Sequence, residues 1–293
     1  MATSPISGSE LEDLKLMAQN HFWPHGKPAG DMSEETGLKT ITSGKGVWLY
    51  DEKDQPWYDA TSCLWLVNLG HGRTEIAQAA YEQMKQISFT PMGSVSPPTA
   101  KLSAKIASVA PDKDSRVFFV SGGAEANETA LKMARKYHIN NGEATRFKVI
   151  SRINSYHGAT HATMSLGGGT RSPHEFEPLM TGSVKIANYD SYRYGFSTKS
   201  EDEASSEYAK DLERAILAHN PSTVSAFIAE PISAATGIHV PNKSYFQMIR
   251  EICDKYGVIM ISDEVITGYG RTGSWFAIEQ WDVVPDIITF AKA

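Results

Sequence analysis

The feature that most constrains this chain is an alternation. From residue 74 onward, helix-period apolar patterns take turns with short apolar runs. Ile76, Ala80, Met84 and Ile87 share one helical face, and Leu102, Ile106 and Val109 share another. Residues 116–120 read as a buried strand. A helix over 125–137 follows, with Ala126, Ala130, Met133 and Tyr137 turned inward. Further strands are expected over 147–151, 184–187, 224–229, 258–262 and 287–291. Helices are expected around Tyr208, Leu212 and Ile216 and over 245–256. Strands separated by helices of this length build a mostly parallel sheet with right-handed crossovers, an α/β architecture in three layers. Residues 1–68 stand apart. Apolar runs at 46–51 and 56–59 flank the polar turn Glu52 to Gln55 and predict a hairpin. The Tyr-, Ser- and acid-rich stretch 188–209 is expected to be a solvated excursion, and Gly167-Gly168-Gly169 a loop.

Composition removes several function classes. With 28 Lys and Arg against 34 Asp and Glu, the net charge is −6, which disfavours a nucleic-acid partner. No apolar stretch is long enough to span a membrane. Cys63 and Cys253 are the only cysteines, so neither a disulfide framework nor a metal-ligand cluster is expected. They suit a reducing compartment, the cytoplasm, with a mitochondrial address also open.

The chemistry-bearing residues lie where strands end. Residues 118–120 run into Ser121-Gly122-Gly123-Ala124 and then a helix, a turn whose backbone N–H groups and helix dipole suit an anion. It lacks the P-loop Lys-Ser/Thr and the dinucleotide glycine spacing. Asp263 follows one apolar strand, and Lys292 stands at the end of the next. Ligands of parallel sheets bind at that carboxyl edge. An acid and a lysine there suit a cofactor with one protonated ring nitrogen and one aldehyde, which describes pyridoxal phosphate. Alone, the two are more simply an ion pair. Tyr156-His157 and Glu230 also follow strands. On their own they read as structural residues, a Tyr-His pair and a turn acid before Pro231.

Taken in order, these segments resemble the class III, or omega, aminotransferases of the fold-type I pyridoxal-phosphate enzymes. The resemblance runs through Asp59-Ala60-Thr61-Ser62-Cys63-Leu64-Trp65, Gly70-His71-Gly72 and Phe119-Val120-Ser121-Gly122-Gly123-Ala124-Glu125-Ala126-Asn127. It continues through Ser155-Tyr156-His157-Gly158, Ala229-Glu230-Pro231, Ser262-Asp263-Glu264-Val265-Ile266-Thr267-Gly268 and Gly270-Arg271-Thr272-Gly273. It closes at Pro285-Asp286-Ile287-Ile288-Thr289-Phe290-Ala291-Lys292. It implies a fold-type I large domain over 69–293 and a small-domain contribution from 1–68. It also implies roles. Lys292 would hold pyridoxal 5'-phosphate as a Schiff base and move the substrate proton. Asp263 would keep the ring nitrogen protonated. Tyr156, with His157 beside it, would stack on one ring face and Val265 pack on the other. Gly122, Gly123 and Ala124 would bind the phosphate. Trp65 would wall the substrate pocket, and Glu230 would be the acid near the cofactor. The implied reaction is ping-pong transfer of an amino group from an amine donor to a keto-acid acceptor such as pyruvate, in a homodimer. Ala124, Ile266 and Trp65 lean toward the amine:pyruvate branch.

The resemblance also leads one to expect a longer chain. Family members continue past the lysine to a phosphate-binding Thr, an acceptor-binding Arg and the rest of the small domain. The sequence therefore reads as truncated, with little activity expected of the chain alone. An aminomutase or a decarboxylating relative is the alternative within the cofactor family. A non-catalytic dimer partner is the alternative outside it.

Overall fold

The computed structural model describes residues 6, 8–25, 39–168, 173–190, 192 and 199–292. The chain divides into two compact units, Met1–Met92 and Gly93–Ala293, a boundary later than the 68/69 division drawn from the sequence.

The first unit contains helix α1 (Gly8–His21) and strands β1 (Ile41–Lys45), β2 (Trp48–Asp51) and β3 (Pro56–Tyr58). The strands form an antiparallel sheet in that order, so the expected hairpin is present and gains a third strand that sequence reasoning missed. Asp51 locks the hairpin turn. Its Oδ1 accepts the N–H groups of Lys53 and Gln55 at 2.9 Å each, and its Oδ2 accepts Trp57 Nε1–H at 3.0 Å. A single turn, α2 (Ser62–Trp65), and helix α3 (Thr74–Gln86) follow. Among this unit's described residues only Pro24 and Asp51 are buried. The predicted apolar face of α3 is not covered: Ile76 is 52% exposed and Met84 66%.

The second unit holds α4 (Pro97–Val109), α5 (Gly123–Asn140), β4 (Lys148–Arg152), α6 (His161–Leu166) and β5 (Ser183–Ile186). It continues with α7 (Glu201–Ala218), β6 (Val224–Ala229), α8 (Lys243–Tyr256), β7 (Ile259–Asp263) and β8 (Ile287–Thr289). The five strands pair in parallel, in the order β5-β4-β6-β7-β8. The period-2 alternation of each strand feeds two cores. Ile150, Phe227 and Met260 face α7 and α8, whereas Val149, Ala226, Ile228 and Ile261 face α5 and α6. That is the expected α/β arrangement of helices on both faces of a mostly parallel sheet. Among the described residues no helix is long and apolar enough to cross a membrane.

Several expectations are corrected. Residues 116–120 join no strand ladder. They line one wall of a groove of about 350 Å³ whose other wall is β8, the edge of the sheet. An apolar run alone does not make a strand, which also needs a hydrogen-bonding neighbour, and here Phe118 and Phe119 are left exposed. The buried face of α5 is rotated from the predicted stripe: Asn127, Ala130, Leu131, Ala134 and His138 are covered, while Met133 is 40% exposed and Tyr137 54%. The prediction failed because two inward residues are polar. At its described ends the stretch 188–209 is not a solvated excursion, since Asn188, Tyr189, Asp190, Ala204, Ser205, Tyr208 and Ala209 are buried, while residues 191 and 193–198 lie outside the described residues. Its acids instead form the first turn of α7, where the Ser200–Glu203 capping box and the helix dipole favour them. Gly167 and Gly168 form a loop as expected, though a hydrogen-bonded one rather than a flexible one: the Gly167 N–H donates to Thr163 O and Met164 O, and the Gly168 N–H donates to Ser155 O. Gly169 lies outside the described residues.

Candidate active site

The site grows from the carboxyl ends of β7 and β8. Register pairs Asp263 with Thr289, so the acid closes one strand directly beside the last residue of the next. Asp263 is the final residue of β7 rather than the first one past it. It is only 3% exposed, and a carboxylate so placed must find donors. Its Oδ2 accepts from Asn127 Nδ2 at 2.8 Å and lies 2.7 Å from His157 Nδ1. Its Oδ1 accepts the Val265 N–H at 3.1 Å.

Asn127 organises the group. Its amide also donates to the His157 carbonyl at 2.8 Å, and its carbonyl oxygen accepts the Thr289 hydroxyl at 2.6 Å. One side chain thus joins α5, the turn after β4, and the ends of β7 and β8. Sequence reasoning missed Asn127 and Thr289. The available signal was a polar residue at an inward helix position and a Thr between the apolar Ile288 and Phe290. His157 is 2% exposed, and its Nε2 has no hydrogen-bond partner.

One turn before Asn127, α5 begins at Gly123 with no side-chain cap. The first N–H groups of a helix have no intrahelical partner. A Cβ at Gly122 would meet nothing within 4 Å, so its backbone is open to approach. A Cβ at Gly123 would lie 2.8 Å from a Val265 methyl, so Val265 packs directly on the glycine turn. Ala124 is backed by Gly158, at φ +138°, where a Cβ would come within 2.6 Å of the Ala124 Cβ. Tyr156 is half-buried in the same turn as His157, between Ser155 and Gly158. Ser155 pins this turn through its hydroxyl, which donates to Arg152 O at 2.7 Å and Leu166 O at 3.0 Å.

Two further buried acids flank Asp263. Glu230 follows β6, whose Ala229 pairs with Ser262. Burial pushes its carboxyl up, with His157 and Arg152 opposing, and Ser233 donates to its Oε2 at 3.1 Å. Arg152, fully buried at the end of β4, donates to the Glu230 carbonyl rather than to its carboxylate, and also to Ser233 Oγ at 3.2 Å. Glu264 accepts from the Thr267 hydroxyl, from the Ala277 N–H at 3.0 Å and from the Ile278 N–H at 2.8 Å. Burial still raises its carboxyl to about 7.

Lys292 is half-buried just past β8, which ends at Thr289 rather than at Ala291 as expected, and its φ is +58°. Gly122, Gly123, Ala124, Tyr156, His157, Val265, Glu230, Asp263 and Lys292 all belong to the second unit. Trp65 belongs to the first, at φ +67° in the α2 turn.

With this geometry in hand, similarity to known proteins places the chain. A family model described as aminotransferase class-III matches residues 30–293. The putrescine–pyruvate aminotransferase of Pseudomonas aeruginosa is 38% identical over 99% of this chain and 63% of its own length. The omega-aminotransferase of Caulobacter vibrioides is 35% identical over 87% of this chain and 58% of its own. Among solved structures, a Bacillus anthracis aminotransferase superposes with a TM-score of 0.91 at 35% identity, covering 98% of this chain and 62% of that one. An (S)-enantioselective omega-transaminase from Thermomicrobium roseum gives 0.89 at 37%, covering 96% and 63%. The chain spans about three-fifths of the length of these relatives. On its sequence match and its fold, the chain belongs to the class III aminotransferase family.

Proposed function

We propose that the protein is a pyridoxal-phosphate-dependent omega-type transaminase that moves an amino group from an amine or omega-amino acid to a keto acid such as pyruvate, in ping-pong fashion. The Asp263 network is the observation that carries this reading. A buried carboxylate with two donors on Oδ2 and only the Val265 N–H on Oδ1 keeps acceptor capacity on Oδ1 for a protonated ring nitrogen. The uncapped start of α5, one helical turn away on the residue run that carries Asn127, suits the phosphate. These residues therefore fit the cofactor. When bound, pyridoxal phosphate supplies the electron sink that makes loss of a non-acidic C–H proton feasible.

The chain's own residues would do the rest. Gly122, Gly123 and Ala124 offer backbone donors to the phosphate. Asp263 holds a proton on the ring nitrogen, and Asn127 and His157 keep that carboxylate oriented. Val265, seated on Gly123, would cover one ring face and Tyr156 the other. With the cofactor bound, Lys292 would engage its aldehyde carbon, and the Lys292 Nζ would carry the substrate proton. Trp65 would wall the substrate pocket, and Glu230 would place a buried acid beside the cofactor. The similarity to the putrescine–pyruvate aminotransferase of Pseudomonas aeruginosa supports an amine:pyruvate branch.

A homodimer is part of the same proposal. It is supported by exposed apolar side chains over residues 76–92: Tyr81 is 57% exposed, Phe89 86% and Met92 101%. Surfaces of this kind mark interfaces. A half-reaction tests the function. Protein loaded with pyridoxal phosphate should release a carbonyl product from an amine without any keto acid, then yield alanine when pyruvate follows. A requirement for both substrates at once would contradict the ping-pong reading.

A further inference from the structure

The α2 turn carries a feature that aminotransfer chemistry does not use. Ser62, Cys63, Leu64 and Trp65 have φ values of +48°, +48°, +62° and +67°, and none is glycine. Left-handed backbone costs an L-residue roughly 1–2 kcal/mol, so runs of it persist only where the surroundings hold them. Here Asp59 holds the turn: its Oδ1 accepts the Cys63 N–H at 2.9 Å. The strained turn delivers the Cys63 thiol to the other oxygen, with Sγ 3.4 Å from Asp59 Oδ2. His71 completes a triangle. Its Nε2 lies 2.9 Å from Asp59 Oδ2 and 3.9 Å from Cys63 Sγ.

The frame around the triangle is fixed. Gly46 and His71 exchange backbone hydrogen bonds at 3.0 and 2.8 Å, and the Asp59 N–H donates to Val47 O at 2.9 Å. The imidazole lies so close over Gly44 that a Cβ there would come within 2.8 Å of the His71 Cβ. Asp59 and His71 keep side-chain exposures of 6% and 17%, while Cys63 is exposed. The triangle is therefore closed on the protein side and open to water beyond the sulfur.

Carboxylate, imidazole and thiolate form a Zn²⁺ ligand set rather than one for Mg²⁺ or Ca²⁺. Bonds of about 2.0–2.1 Å to N and O and about 2.3 Å to S, in a tetrahedron, separate the ligand atoms by roughly 3.3–3.6 Å. The observed edges of 2.9, 3.4 and 3.9 Å bracket that range, so small side-chain shifts suffice. We propose that Asp59, Cys63 and His71 form a Zn²⁺ site in the first unit, with three protein ligands and a fourth position open to solvent. Binding forms a metal–sulfur bond, and the thiol proton leaves to the buffer. Two isolated cysteines gave no sign of this in the sequence, because the ligands gather only through the α2 turn and the Gly46–His71 pairing. None of the three ligands is among the residues assigned to the cofactor or the substrate pocket.

Zn²⁺ alone is the probe. Metal-stripped protein titrated with Zn²⁺ against a chromophoric chelator should bind one equivalent. It should also slow the reaction of the exposed thiol with a disulfide reagent by about tenfold or more. Cys253 is fully buried, so the signal reports Cys63. Co²⁺ in place of Zn²⁺ should give a near-ultraviolet thiolate-to-cobalt band. Cys63→Gly, which suits the left-handed backbone, should abolish the band and weaken Zn²⁺ binding by about tenfold or more. His71→Gln should weaken it comparably. Absence of stoichiometric Zn²⁺ binding overturns the proposal, as does a Co²⁺ complex of the unaltered protein without the thiolate band. If His71→Gln fails to fold, the band in the unaltered protein and its loss in Cys63→Gly decide.

Discussion

Asp263 with His157 and Asp59 with His71 are built alike and stand in opposite surroundings. The contacts are 2.7 and 2.9 Å. Asp263 sits where four elements of the second unit meet, and its side-chain partners Asn127 and His157 are 0% and 2% exposed. Asp59 sits in a unit whose described residues bury little else, beside an exposed cysteine. The contrast teaches that hydrogen-bond geometry does not set what a pair is for. Burial does. In the dry pair the carboxylate's donors come from buried neighbours that water does not reach. In the wetter pair, water can replace a lost partner, and an ion can reach the ligand atoms.

The largest expected effect separates the two carboxylates. Asp263→Ala leaves the His157, Asn127 and Val265 donors buried without an acceptor and should cost about 3–5 kcal/mol. Asp59→Ala should cost much less, because water reaches its partners. Urea unfolding of both variants checks this, and equal losses would break the comparison.

The second effect is the opposite response of the two sites to pH. Glu264, adjacent to Asp263, is raised to about 7 by burial. Its contribution is fully present below the unfolded value of about 4.3 and is lost as pH rises through about 7, a loss on the order of 3 kcal/mol. Asp59 is lowered to about 2, first by the Cys63 N–H and then by the His71 imidazole. Its contribution is present above about 3.9 and lost as pH falls through about 2. Glu264→Gln should therefore flatten the neutral limb of the stability profile, and Asp59→Asn the acid limb. Thermal unfolding from pH 2 to 8 reads both.

Next in size, Asn127→Ala removes the amide joining Thr289, His157 and Asp263 and should cost about 1–3 kcal/mol. If loss of cofactor affinity accompanies loss of stability, the network positions Asp263. If stability alone falls, Asn127 is structural. The smallest effect belongs to Cys63→Gly. A glycine at φ +48° relieves left-handed strain, offset by its greater unfolded-chain entropy, for a net gain up to about 1 kcal/mol.

Periodicity made much of the second unit legible. The strands at 224–229 and 259–263 are apolar because both faces are covered, and Asp263 stands out as the acid ending such a run. Two things were not legible. One is hydrogen-bond partnership between distant segments: residues 117–120 have a strand's composition but no ladder, and Asn127 shows its role only when Thr289 and His157 arrive from elsewhere. The other is cover. Ile76 and Met84 are patterned for burial, yet remain exposed in this chain. A pattern records that a face is apolar and not what lies against it.

In the proposed function, Asp263 and the α5 turn place a cofactor aldehyde at Lys292. Incubation with pyridoxal phosphate, borohydride reduction and peptide mapping test it most directly. One phosphopyridoxyl group per chain is expected, on Lys292, with its loss in Asp263→Ala under conditions where that variant is folded. Modification spread over surface lysines with Lys292 untouched would contradict it.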